Sequence, residues 1–158
     1  MKKEIIKLIA SLLICQAAGF LGSLVTTPSI PIWYASLEKP SFSPPNWVFS
    51  PVWITLYALM GISLYLLWRQ DIKTPKVRIA LFFFIVQLIL NVCWSMIFFG
   101  LKLSFLAFIE ILLLWAAILL TMVKALKVSK IAGILLLPYI LWVSFAAVLN
   151  FFLWYLNR

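Results

Sequence analysis

Five long apolar stretches alternate with short segments that carry nearly all the charge. They cover approximately residues 5–26, 47–68, 77–99, 104–126 and 131–156, each near the ~20 residues a helix needs to cross a bilayer. The pattern predicts an all-α integral membrane protein, a bundle of five transmembrane helices. One membrane domain, 1–158, accounts for the length, with an aromatic, Pro-rich loop over 27–46. The stretch from Trp33 to Tyr57 gathers Trp33, Tyr34, Trp47, Trp53 and Tyr57 among Pro40, Pro44, Pro45 and Pro51. Trp and Tyr favour membrane interfaces, and Pro stiffens a connection. A stiff aromatic lid over a site for a flat hydrophobic molecule is the expectation.

Composition agrees with the pattern. Hydrophobic residues make up 66% of the chain, charged residues 11%, and the mean hydropathy is +1.15. Soluble domains are about 45–50% apolar and about 25% charged. The net charge of +9 invites a nucleic-acid reading. The basic residues, however, stand at the ends of apolar runs, so anionic lipid headgroups are the expected partners and nucleic acid is not.

The charges also predict orientation. Lys2, Lys3, Lys7, Arg69, Lys73, Lys76, Arg78, Lys124, Lys127 and Lys130 fall on the N-terminal side. Only Lys39, Lys102 and Arg158 fall on the other. The positive-inside rule then gives a multi-pass protein of the cell membrane with a cytoplasmic N-terminus and the lid outside. The first run is too long for a signal-peptide core and lacks a small-residue cleavage site, so it is read as a helix.

No His occurs, which removes the usual general base and the commonest transition-metal ligand. Cys15 and Cys93 lie inside apolar runs and read as buried free thiols. No metal site and no cofactor is expected.

Polar groups are costly in lipid, so those inside the spans carry information. Gln87, Asn91 and Ser95 recur at i, i+4, i+8, with Trp94 and Phe98 beside them. They serve either interhelical hydrogen bonding or the polar stripe of a cavity. Pro138, Trp142, Ala146 and Asn150 form a similar row in the last span. Pro138 is expected to bend that helix, and the gap at Ala146 suits an indole stacking on a planar ligand. Gln16, Gly19, Ser23 and Thr26 share a face of the first span, and small residues there favour close helix packing. Glu110 is the lone acid deep in a span, either a proton-coupling group or a protonated, hydrogen-bonded acid. The tail Leu153–Arg158 fits a loose cholesterol-type pattern, and an interfacial aromatic–Arg anchor explains it better.

Three ordered blocks give these residues a wider context. The first is Trp33-Tyr34-Ala35-Ser36-Leu37, Lys39-Pro40, Pro44-Pro45-Asn46-Trp47, Pro51-Val52-Trp53 and Leu56-Tyr57. The second is Gln87-Leu88, Leu90-Asn91, Trp94 and Ile97-Phe98-Phe99-Gly100. The third is Pro138-Tyr139, Trp142, Phe145-Ala146 and Leu149-Asn150. In them the chain resembles the TspO/MBR family, the tryptophan-rich sensory proteins and translocator proteins once called peripheral benzodiazepine receptors.

The resemblance implies a five-helix bundle with a pocket open toward the first loop. It implies binding of porphyrins such as protoporphyrin IX, and of isoquinoline carboxamide and benzodiazepine drugs. It also implies homodimers and, as in some bacterial members, light-dependent oxidative breakdown of the porphyrin. By motif position, Trp53 and Trp142 would carry that chemistry. Tyr34, Trp53, Asn91, Trp94, Trp142 and Ala146 would bind the ligand, with Lys39 meeting a carboxylate near the mouth. Phe151-Phe152 follow Leu149-Asn150 where animal members carry Tyr, a departure from their cholesterol-binding segment. The alternatives are an exporter of porphyrins or similar molecules, with Glu110 central, and a ligand-dependent regulatory protein.

Overall fold

The structure is a computed structural model that describes residues 2–158. Helix α1 spans Lys2–Ser29 and continues through a π-helical turn over Ile30–Tyr34. After the loop, a 3₁₀ turn over Asn46–Val48 leads into α2, Phe49–Trp68. Helix α3, Pro75–Ser95, also ends in a π-helical turn, Met96–Gly100. Helix α4 covers Ser104–Leu126, and the fifth span is divided into α5, Lys130–Ile134, and α6, Leu137–Leu156. Among the described residues, five helical segments are long and apolar enough to cross a membrane. The protein is a multi-pass, all-α membrane protein.

The prolines act differently from expectation. Pro28 and Pro31 do not end the first helix near residue 26. Proline lacks an N–H, and the wider i→i+5 spacing of a π turn absorbs the missing bonds without ending the helix. The loop proper is therefore shorter than 27–46. Stiffening by proline is confined to the segment beyond Leu37, where Pro40, Pro44 and Pro45 lie. Pro138 does more than bend the last span. The helix breaks at Leu135–Leu136 and restarts with Pro138 in the first turn of α6, where its missing N–H costs nothing.

Helix α1 packs against α2 and α3, α4 against α3 and α6, and α5 against α2 and α4. Small residues set the closest approaches. A Cβ on Gly61 would stand 2.9 Å from the Leu12 Cα, so α1 and α2 touch backbone to backbone there. The Ser63 hydroxyl donates to the Ala132 carbonyl at 2.8 Å and ties α2 to α5. Outward-facing Ile9, Phe82, Ile85 and Leu113 are exposed, as a lipid-facing surface requires. The main core joins Met60, Leu67, Phe84, Ile118 and Tyr139, and a second aromatic core holds Tyr34, Phe98 and Phe99 near the two π turns.

Candidate functional site: an aromatic cavity between α1, α2, α3 and α6

The two π turns lie side by side. The Ser29 hydroxyl donates to the Phe99 carbonyl at 2.9 Å, and the Trp33 and Phe98 rings meet edge-on at 5.2 Å. Below them a cavity of about 480 Å³ opens between the helices. Small-molecule sites run from about 300 to 1,000 Å³.

Five of the six expected ligand-binding residues line this cavity: Tyr34, Trp53, Trp94, Trp142 and Ala146. Asn91 does not. It sits one layer behind, buried, accepting from the Tyr57 hydroxyl and donating to the Tyr139 hydroxyl at 2.7 Å. Tyr57 itself forms part of the cavity wall. Asn91 therefore reaches the cavity only through Tyr57.

The three indoles are held differently. Trp94 donates its N–H to Asn150 Oδ1 at 3.0 Å and stacks on Phe98 at 5.2 Å. Asn150 in turn donates to the Ser104 carbonyl at 2.9 Å. Trp94 is a fixed wall. Trp53 and Trp142 have no hydrogen-bond partner among the described residues. Trp53 leans on Tyr57 at 5.6 Å, and Trp142 on Phe49 at 6.2 Å and Phe145 at 5.5 Å. Tyr34 is buried among Phe49, Phe98 and Phe99, and its hydroxyl has no partner among the described residues.

Sequence reasoning misses the contribution of α1. It assigns Gln16, Gly19, Ser23 and Thr26 to helix packing, and all four line the cavity. Gly19 does both, since a Cβ there would stand 2.5 Å from the Tyr57 ring. Gln16 offers a signal, as a long polar side chain within an apolar span. It donates to the Ile54 carbonyl on α2 at 3.1 Å.

The loop contributes nothing to the lining. Lys39 donates to the carbonyls of Ala35 at 3.3 Å and Leu37 at 3.1 Å, closing the end of the first helix above the Tyr34 ring. Glu110 and Gln87 are buried away from the cavity, and their polar side-chain atoms have no partner among the described residues.

Comparison with known proteins agrees with this architecture. Residues 11–156 match the TspO/MBR family. The chain is 46% identical to the Tryptophan-rich protein TspO of Archaeoglobus fulgidus over 154 residues, 98% of this chain and 99% of that one. It is 42% identical to the Translocator protein of Homo sapiens over 123 residues, 77% of this chain and 73% of that one. With the Tryptophan-rich sensory protein of Cereibacter sphaeroides it shares 32% identity, over 87% of this chain and 82% of the other. The chain belongs to the TspO/MBR family.

Proposed function

We propose that the cavity binds a planar tetrapyrrole of the porphyrin class, with protoporphyrin IX as its test ligand. Trp53 and Trp142 then take part in its light-dependent oxidative breakdown. One observation carries the reading: two indoles from different helices line one cavity without hydrogen-bond partners among the described residues. An indole without such a bond is free to stack on a flat ring. The Tyr34 hydroxyl, beside Ser43 but without a close hydrogen-bond partner among the described residues, suits a polar edge of the ligand. Light excites the ring, dioxygen is the oxidant that takes up the electrons, and an indole beside the excited ring can exchange an electron with it. The same apolar walls would take the isoquinoline carboxamide and benzodiazepine drugs that the resemblance implies, and a homodimer follows from the same resemblance.

Titration with protoporphyrin IX in darkness and in light tests this. Wild-type protein should show Trp quenching at micromolar ligand and form a photoproduct. Trp53→Phe and Trp142→Phe should keep binding, while product formation falls about tenfold, equivalent to ~1.4 kcal/mol. Absence of quenching in the wild type removes the binding reading. Quenching without a photoproduct leaves binding and removes the chemistry.

A second reading, proton-coupled export, rests on Glu110, buried without a hydrogen-bond partner among the described residues. Porphyrin flux into liposomes that follows a proton gradient, and is lost in Glu110→Gln, would favour it. Flux unchanged in that variant would remove it.

A further inference from the structure

We infer that the ligand reaches the cavity sideways from the lipid, through a mouth between α1 and α2, and not past the loop. This rests on the proposal that the cavity binds an apolar planar molecule. The resemblance implies a pocket open toward the loop, and the geometry points elsewhere. Phe20 and Ile54 both line the cavity, yet they are 64% and 61% exposed. Thr27 and Ser50, also lining, are exposed on the same two helices. Cavity and outer surface therefore meet along this seam.

The mouth lies at hydrocarbon depth. The Lys7 ammonium donates to the Trp68 carbonyl at 3.5 Å, which marks the basic end of the α1–α2 pair. Phe20 is thirteen residues beyond Lys7 and Ile54 fourteen before Trp68. At 1.5 Å per residue both stand about 20 Å from that end. The hydrocarbon layer is about 30 Å thick, so the mouth opens within it.

Three polar side chains on the α1 side of the seam are tied to backbone carbonyls. Gln16 donates to the Ile54 carbonyl, Ser23 to the Phe20 carbonyl at 2.7 Å, and Thr26 to the Gly22 carbonyl at 2.9 Å. They leave a rim that lipid tolerates.

The loop side is closed. The Glu38 N–H donates to Asn157 Oδ1 and the Asn157 Nδ2 donates back to the Glu38 carbonyl, each at 2.9 Å. Phe42 is wedged against Phe152 at 5.4 Å and Phe145 at 6.3 Å. Tyr34 and Phe49 line the cavity, and no residue between 37 and 48 does. A molecule already dissolved in the bilayer thus meets an opening, and one arriving from water meets a fastened loop.

The test uses full-length protein in lipid nanodiscs with Cys15 and Cys93 replaced by Ala. A single Cys is placed at Ile54 or at Phe42 and coupled, after folding, to a bulky maleimide. Stopped-flow quenching by protoporphyrin IX is compared before and after labelling. At position 54 the label should slow association and dissociation together, by about tenfold. At position 42 it should change neither by more than about twofold. Slowing at 42 with none at 54 overturns the inference.

A porphyrin-independent arm separates this from failure of the binding proposal. Lipids brominated in the acyl chain should quench wild-type emission by more than they quench Trp53→Phe, because the seam lets chains approach Trp53. Equal quenching overturns the lateral mouth, whatever the ligand. Loss of porphyrin quenching with this difference retained overturns only the ligand assignment.

Discussion

The α1–α2 pair is closed over one half and open over the other. Near the basic end, Gly61 brings the α2 backbone against Leu12, and Lys7 reaches the Trp68 carbonyl. Glu4 meets Arg69 at 3.8 Å and accepts from the Tyr65 hydroxyl at 3.3 Å. Beyond Gly19 the helices separate, and Phe20 and Ile54 flank a cavity. Tyr57, lodged against Gly19, marks the boundary. The same two helices thus supply both a rigid base and a ligand site. What differs is what stands opposite at the crossing: Gly61 lets the two backbones touch, and from Gly19 onward aromatic side chains line the space left between the helices.

The largest effect is expected from breaking the closed half. Gly61→Val places a branched side chain where even a Cβ meets the Leu12 backbone at 2.9 Å. Backbone cannot rotate away as a side chain can, so the helices must separate. Overpacking typically costs about 1–3 kcal/mol, and this site belongs at the upper end. The thermal midpoint in detergent should fall clearly below wild type. An unchanged midpoint would mean that the closed half does not hold the pair together.

The boundary comes next. Asn91→Leu leaves the buried Tyr57 and Tyr139 hydroxyls without their shared partner. A lost buried bond costs about 1–3 kcal/mol, and bonds within membranes fall toward the lower figure. Stability should drop by that amount while porphyrin affinity changes less than in Tyr34→Phe, because Tyr34 lines the cavity and Asn91 does not. If Asn91→Leu proves the more damaging to affinity, the cavity floor depends on this knot more than its geometry indicates.

Much of the fold and of the cavity wall is legible in the sequence, and the limits have physical reasons. Five apolar runs suffice to read the five spans, since a bilayer demands length and apolarity. The aromatic blocks place Tyr34, Trp53, Trp94, Trp142 and Ala146, and all five line one cavity. The i, i+4, i+8 row of Gln87, Asn91 and Ser95 shows that they share a face of α3. It cannot show what stands opposite each: Tyr57 and Tyr139 face Asn91, and the cavity reaches only Ser95. The first span reads as ending at 26, and not at Tyr34, because a π turn leaves no simple mark in composition. Gln16 to Thr26 read as packing residues because small side chains suit both a close crossing and a cavity wall. Which one occurs depends on the partner helix, and Gly19 turns out to serve both.

The smallest expected effect lies at the basic end of the closed half. Glu4 stands 3.6 Å from Lys7 and 3.8 Å from Arg69, and all three side chains are partly exposed. Solvent screens such pairs, and each contributes about 0–1 kcal/mol. Glu4 also lies in the first turn of α1, where a carboxylate is favoured by the helix dipole. Glu4→Gln keeps the shape and an acceptor for the Tyr65 hydroxyl but removes the charge. The midpoint should fall by less than Gly61→Val produces, and the difference from wild type should shrink as salt rises, because the screening length falls from about 10 Å at 0.1 M to about 3 Å at 1 M. A loss as large as that of Gly61→Val, or one indifferent to salt, would shift the hold on the closed half from glycine packing to this charged cluster.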